Sequence, residues 1–184
     1  MRGVVQMVAC MSLDGRLSIS GDAPPNQEKK GGWTSAEDKD YLKKIIDSAD
    51  VLIMGRKTAE ISPDFKKTVA IISKGGNILT RQTGSVGIVR PQLDEILQLL
   101  DMQIGEGAQA RFVVMGGAQT YALFLQHRLV DMIRLTLEPA VLQTGPAMGF
   151  NGLFNTNATV DKFKMIDFTR MNGRGSLHLV YERI

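Results

Sequence analysis

Two stretches of this chain place glycine, hydroxyl and cationic residues where a buried strand passes into a helix. The first is Val51-Leu52-Ile53-Met54-Gly55-Arg56-Lys57-Thr58, and the second is Phe112-Val113-Val114-Met115-Gly116-Gly117-Ala118-Gln119-Thr120. A glycine at such a junction lets an anion approach the backbone. The first amides of the helix add donors and a favourable dipole. Arg56, Lys57 and Thr58 add two cations and a hydroxyl, a set suited to pyrophosphate or a 2′-phosphate. Cations at a helix start are disfavoured unless an anion is present, which favours the binding reading. A bare tight turn at Gly116-Gly117 and a solvated helix start at Arg56-Lys57 fit the same residues. Neither Gly-x-Gly-x-x-Gly nor Gly-x-x-x-x-Gly-Lys-[Ser/Thr] occurs, so neither the Rossmann fingerprint nor the P-loop applies.

Asp38 is the carboxylate whose spacing points to chemistry. Leu42, Ile45 and Ala49 follow it at i+4, i+7 and i+11, so it projects from the apolar face of its helix. A carboxylate held there is desolvated and its pKa rises, which suits proton delivery or gripping a polar ligand edge. The same segment, Ser35-Ala36-Glu37-Asp38, also fits a capping box in which Asp38 only closes the helix start. Both readings stand at this stage. Glu37 shares a side with Tyr41 and Lys44 and is the weaker candidate.

Other chemistries find little support. His127 and His178 are far apart and, with one cysteine, give no metal-ligand spacing and no nucleophilic triad. Cys10 lies in an apolar run and reads as a small buried hydrophobe. The net charge of +3 is spread thinly, with no aromatic-interleaved basic stripe, so nucleic acid is not an expected partner. No stretch approaches the ~20 apolar residues of a membrane span, and the start does not read as a secretory signal. The expectation is a cytoplasmic protein without a membrane partner.

The elements that must position these residues alternate. Strands are expected at 4–9, 51–54, 68–72, 86–89 and 111–115, and helices at 35–48, 91–102 and 118–126. Late strands follow at 132–138, 162–169 and 177–182 with no helix between them. The polar stretch 21–32 reads as a long functional loop. With 184 residues, 43% hydrophobic and 22% charged, one domain over 1–184 is expected. The fold class is α/β: a mostly parallel twisted sheet, helices on both faces, and an antiparallel C-terminal edge.

Taken in order, these segments resemble the dihydrofolate-reductase-like superfamily, and within it the reductase domain of riboflavin-biosynthesis enzymes. The resemblance rests on Met11-Ser12-Leu13-Asp14-Gly15-Arg16-Leu17, Trp33-Thr34-Ser35, Met54-Gly55-Arg56-Lys57-Thr58, Ser73-Lys74 and Met115-Gly116-Gly117-Ala118-Gln119-Thr120-Tyr121. It extends through Leu129-Val130-Asp131-Met132-Ile133-Arg134-Leu135 to Pro139, Gly145 and Phe150. It implies NADPH as cofactor, placed by Ser12, Gly55, Arg56, Lys57, Thr58, Ser73, Lys74, Gly116, Gly117, Ala118, Gln119 and Thr120. It implies a substrate side at Asp14, Trp33, Thr34 and Asp38, since Asp38 stands five residues after Trp33 as the gripping acid of many dihydrofolate reductases does. The pyrimidine reductases continue after the position of Thr58 with an Asp-Asn/Asp-Pro-x-Leu-Thr segment, where this chain has Ala59-Glu60-Ile61-Ser62-Pro63-Asp64.

What the resemblance implies is an NADPH-dependent reductase of a pyrimidine- or pterin-like heterocycle. The first guess is 5-amino-6-(5-phosphoribosylamino)uracil reductase, with Asp38 as the catalytic group. Dihydrofolate reductase, a divergent reductase of another small molecule, and a nucleotide-binding module without turnover are the alternatives. A homodimer is expected, as in the family, with 132–137 as a strand able to pair across it.

Overall fold

The computed structural model describes residues 2–19, 32–75, 86–104, 107–147 and 161–184. The expected loop at 21–32 therefore lies almost wholly outside the described residues, as does Phe150. The elements are β1 (Val4–Ser12), α1 (Ala36–Ser48), β2 (Val51–Gly55), α2 (Arg56–Ile61), β3 (Thr68–Ile72), β4 (Val86–Val89) and α3 (Leu93–Leu100). They continue with β5 (Gln103–Ile104), β6 (Ala108–Gln109), β7 (Arg111–Val114), α4 (Ala118–Gln126), β8 (Met132–Glu138), β9 (Phe163–Arg170) and β10 (Leu177–Arg183).

Eight strands form one sheet in the order β4-β3-β2-β7-β1-β8-β10-β9. The six from β4 to β8 run parallel, and β10 and β9 add antiparallel at one edge. The expected fold class is the observed one. Alternation along each parallel strand sorts side chains into two cores. Val5, Met7, Ile53, Phe112 and Val114 pack under α3 and α4 with Ile96, Leu100 and Phe124. Val8, Leu52, Met54, Ile71 and Val113 pack under α1 and α2 with Ile45 and Ala59. Because both faces are covered, β2 and β3 are continuous apolar runs.

Several elements differ from the expectations. β1 runs to Ser12, because parallel pairing with β8 continues through Ser12–Glu138. The third helix starts at Leu93 rather than Pro91: Gln92 is extended (φ −111°, ψ 140°), and the Glu95 carboxylate turns back to accept from the Arg90 N–H at 2.9 Å. Arg56 to Ile61 forms a separate short helix directly after Gly55. At the far end of α1, Lys67 Nζ donates to the carbonyls of Asp47 and Ala49, each at 2.7 Å, and so satisfies acceptors left over by the helix terminus.

Candidate active site at the strand ends

The C-terminal ends of β1, β2, β3 and β7 open onto one cavity of about 1640 Å³. Single-ligand pockets measure roughly 300–1,000 Å³, so this one has room for a dinucleotide and a second small molecule. Open parallel sheets bind ligands at this edge, where the strand ends and helix starts converge.

Both glycine junctions face the cavity and are tied to each other. The Gly55 N–H donates to the Gly116 carbonyl at 2.7 Å, and Met115 N–H to the Ile53 carbonyl at 2.8 Å. The Gly116–Gly117 peptide is cis, and Gly116 has φ +110°, a region that only glycine enters at low cost. A Cβ on Gly55 would stand 2.8 Å from Thr120 Oγ1, and one on Gly117 would stand 3.3 Å from Thr58 Oγ1. Neither α2 nor α4 carries a side-chain cap at its start. The cavity wall there also contains Arg56, Lys57, Thr58, Ser73, Lys74, Ala118 and Gln119. A backbone cradle rimmed by cations fits the phosphates of a dinucleotide.

The same cavity wall includes Asp38, which is only 8% exposed. Ser35 caps α1, and its Oγ accepts from the Asp38 N–H at 3.2 Å. That is half of the capping box expected from the sequence. In the other half the Asp38 carboxylate would accept from the Ser35 N–H. The structure gives that bond to Glu138 of β8, whose Oε1 accepts from Ser35 N at 2.7 Å. The Asp38 carboxylate instead lies beside Thr136 and Cys10, whose hydroxyl and thiol favour its charged form. Burial pushes its pKa up and the charge of Glu138 adds to this, against the lowering by Thr136 and Cys10. A partly desolvated acid facing a cavity can deliver a proton or bind a ligand N–H edge.

The residues predicted for the site divide into two groups. Thr34, Asp38, Gly55, Arg56, Lys57, Thr58, Ser73, Lys74, Gly116, Gly117, Ala118, Gln119 and Thr120 line the cavity together. Thr34 is buried there, with no partner for its Oγ1 among the described residues. Ser12, Asp14 and Trp33 are not on the cavity wall. Ser12 is fully buried, and its Oγ donates to Asp14 at 2.6 Å and accepts from the Arg16 N–H at 2.9 Å. Asp14 accepts from the Leu142 and Gln143 N–H groups at 3.1 and 2.9 Å, and the Ser12 bond above all lowers its pKa to about 2. Both residues thus clasp the turn after β1 to the 140–147 segment, whose Pro146 joins Leu17 and Ser18 at the cavity rim.

Cys10 needs correcting. It is half-buried and lines the cavity beside Asp38, because even-numbered positions of β1 face α1 and the strand ends there. Burial pushes its thiol pKa up, which keeps it an S–H donor and a poor nucleophile. Thr136, Glu138 and Tyr121 were not singled out from the sequence. The alternation Arg134, Thr136, Glu138 against Ile133, Leu135, Leu137 was the available signal that β8 has a polar face.

No family model and no curated protein matches the chain. Solved structures do. A protein named for riboflavin biosynthesis from Shewanella sp. PV-4 superposes with a TM-score of 0.70 at 19% identity, covering 98% of this chain and 99% of its own. Acinetobacter baumannii RibD gives 0.68 at 18% identity over the whole chain, which spans 58% of that longer protein. Dihydrofolate reductase from Enterococcus faecalis, complexed with NADP(H) and RAB-propyl, gives 0.68 at 14% identity, covering 100% of this chain and 98% of its own. At such identities the likeness carries the architecture: this chain has the dihydrofolate-reductase-like fold.

Proposed function

We propose that this protein is an NADPH-dependent reductase of a small pyrimidine- or pterin-like heterocycle, with 5-amino-6-(5-phosphoribosylamino)uracil as the first substrate to try. One observation carries the reading. A single cavity is lined both by a glycine cradle with cations beside it and by a buried, partly desolvated Asp38. Gly55, Gly116, Gly117 and the starts of α2 and α4 would hold the pyrophosphate, and Arg56, Lys57 and Lys74 its negative charge. Bound NADPH supplies the hydride, and the chain positions and polarises its substrate. Asp38, facing the cavity with its pKa raised by burial, would bind the polar edge of the heterocycle or deliver a proton to it. Dihydrofolate-reductase-like solved structures, one of them named as complexed with NADP(H), support the choice of cofactor.

A divergent substrate is the second reading. Ile61, Ser62, Pro63 and Asp64, which stand where the pyrimidine reductases carry their Asp-Pro segment, line the same cavity. The test is a titration with NADPH, read by Trp33 fluorescence and thermal shift, followed by NADPH oxidation with the ribosylaminopyrimidine and with dihydrofolate. Absence of both quenching and thermal protection overturns the reductase reading. Binding with turnover on neither substrate leaves the divergent reductase or the binding module. NADPH oxidation with a panel of other small carbonyl and imine compounds then decides: turnover on any of them marks a reductase, in which Asp38→Asn should cost about 10²–10⁴-fold while NADPH affinity holds, and turnover on none leaves the binding module.

We infer further that two copies pair through the face of β8, β10 and β9 that bears Leu135, Leu179 and Phe168. Leu135 packs at the edge of the core under α3 and α4, whereas Phe168, in line with it across Leu179, is 65% exposed. The likeness to solved reductases and the lack of a long apolar helix among the described residues suit a cytoplasmic enzyme.

A further inference from the structure

Resting on the reading of Asp38 as the ligand-facing acid, we propose that Glu138 is its positioning residue: by occupying the Ser35 N–H from β8, it keeps Asp38 out of the helix cap and turned toward the cavity. Two carboxylates, Asp38 and Glu138, compete for a single donor. The segment Ser35-Ala36-Glu37-Asp38 has the residues of a complete capping box, and an isolated helix with this start would fold Asp38 back onto Ser35. Here the Ser35 N–H is taken at 2.7 Å by Glu138 Oε1, and only the Ser35 Oγ half of the box is formed. Ser35 is 1% exposed and Glu138 3% exposed, so water does not compete for the bond.

Glu138 is itself held in place. Its Oε2 accepts from Ser176 Oγ at 2.5 Å, and Ser176 Oγ accepts from Asn172 Nδ2 at 2.9 Å. The same amide nitrogen reaches Glu37 Oε2 at 3.2 Å on the first turn of α1. The Asn172 Oδ1 ties the turn between β9 and β10 by accepting from the N–H groups of Arg174, Gly175 and Ser176. The antiparallel edge of the sheet therefore grips the start of α1 at two points, Ser35 and Glu37, on either side of Ala36. Asp38, next along the helix, is left to Cys10 and Thr136.

The groups facing Asp38 are Cys10 from β1, Thr136 and Glu138 from β8, Tyr121 from α4 and Lys39 from its own helix. Among the described residues no lysine or arginine pairs with either carboxylate. Glu138 thus acts on Asp38 in two separable ways, by occupying Ser35 N–H and by its charge.

Two substitutions separate these effects. Glu138→Gln keeps a carbonyl acceptor for Ser35 and loses the charge; Glu138→Leu loses both. The first readout is the titration of the Asp38 carboxyl carbon by NMR, assigned through Asp38→Asn, and it needs no cofactor or substrate. Glu138→Gln is expected to lower the Asp38 midpoint while leaving its chemical shift at the ends of the titration near wild type. Glu138→Leu is expected to lower it further, to the range of an ordinary capping aspartate. The second readout is NADPH-dependent turnover, with at least 50-fold loss in Glu138→Leu, less than tenfold in Glu138→Gln, and NADPH affinity within twofold in both. If Glu138→Leu fails to fold, Ser176→Ala tests the same clamp. Amide exchange at Ser35 and Asp38 should then quicken at least tenfold, against no change at Val113.

The proposal is overturned if Asp38 titrates alike in wild type and Glu138→Leu. Where that variant does not fold, unchanged exchange at Ser35 in Ser176→Ala overturns it. A protein that shows the titration shifts but never oxidises NADPH refutes the reductase reading and leaves the positioning role intact.

Discussion

The two halves of the sheet are built to different rules. From β4 to β1 the strands are parallel, covered on both faces, and almost purely apolar inside. Their polar groups gather at the strand ends, at Gly55 and Gly116–Gly117. From β8 to β9, polar side chains enter the interior instead: Thr136, Glu138, Ser176 and His178 are buried, and Arg134 donates to the Tyr41 hydroxyl of α1. The parallel half supplies a rigid cradle whose specificity lies in the backbone. The antiparallel half supplies side chains, each needing a partner in a low-dielectric setting. The cavity belongs to the parallel half, and Asp38 on its wall stands between Cys10 of β1 and Thr136 of β8.

The largest effect is expected where the parallel half has no slack. Gly116 has φ +110°, and a Cβ there would meet the Tyr121 ring at 3.1 Å. Tyr121 cannot move aside, since its ring is buried and its hydroxyl donates to the Val8 carbonyl at 2.5 Å. Gly116→Val is expected to weaken NADPH binding at least 100-fold by calorimetry, with backbone strain of about 1–3 kcal/mol added. Binding within threefold of wild type would break the assignment of the cradle to the parallel half.

Next in size is the histidine that the polar half buries without a partner. His178 is 3% exposed, stacks on Tyr41 at 3.7 Å between centroids, and has no hydrogen bond at either nitrogen among the described residues. Burial, with the nearby Arg134 charge, lowers its pKa to about 4. As pH falls, the unfolded chain takes up this proton near 6.5, before the folded one does. The stability contributed by neutral His178 is therefore full above pH 6.5 and is lost between 6.5 and about 4, on the order of 3 kcal/mol. Asp38 has the opposite sign: its raised value makes burial of the anion costly, and that cost is relieved as pH falls. His178→Phe should flatten the pH dependence of urea midpoints across this window. An unchanged slope would show that the polar interior is not what limits acid stability.

This difference between halves also explains what the sequence revealed. Apolar runs ending in glycine announce a covered parallel strand and a helix start, so Val51 to Thr58 and Phe112 to Thr120 were legible as the two junctions that line the cavity. The spacing of Leu42, Ile45 and Ala49 placed Asp38 on the sheet side of α1. It did not decide between cap and ligand, because the deciding atom belongs to Glu138, a hundred residues away in β8. The Glu138–Ser35 bond depends on the pairing of β8 with β1, a long-range register that no local pattern encodes. Ser12 and Asp14 carried a functional motif whose described geometry is a loop clasp, and only the hydrogen-bond partners reveal that.

A smaller effect, back in the parallel half, concerns the cations. Arg56 and Lys57 are exposed, and Arg56 lies 3.8 Å from Glu60, a contact that water screens heavily. Arg56→Ala is expected to weaken NADPH by about tenfold at low salt and less at 0.5 M, as screening shrinks the charge contribution. The comparison sharpens if NADH is affected much less than NADPH. That result assigns Arg56 to the 2′-phosphate, while equal losses assign it to the pyrophosphate.

The smallest change in the chain's own stability is expected at the sheet edge. Phe168 lies on β9 opposite Leu179, and with 65% exposure it loses little burial when replaced. Phe168→Asp should leave the stability of the single chain within about 0.5 kcal/mol. If two copies pair through this face, the same substitution places a carboxylate in a dry interface, and the sedimenting mass should fall from two chains to one at micromolar concentration. The polar interior under α1 would be untouched, so NADPH affinity should hold. A mass unaffected by Phe168→Asp would remove the dimer from this face and leave Leu135, Leu179 and Tyr181 as an apolar surface without that role. Loss of NADPH affinity together with the dimer would instead tie the two halves more closely than their separate hydrogen-bond networks suggest. The start of α1, gripped by the β9–β10 turn through Asn172 and Glu37, is the route by which that coupling would travel.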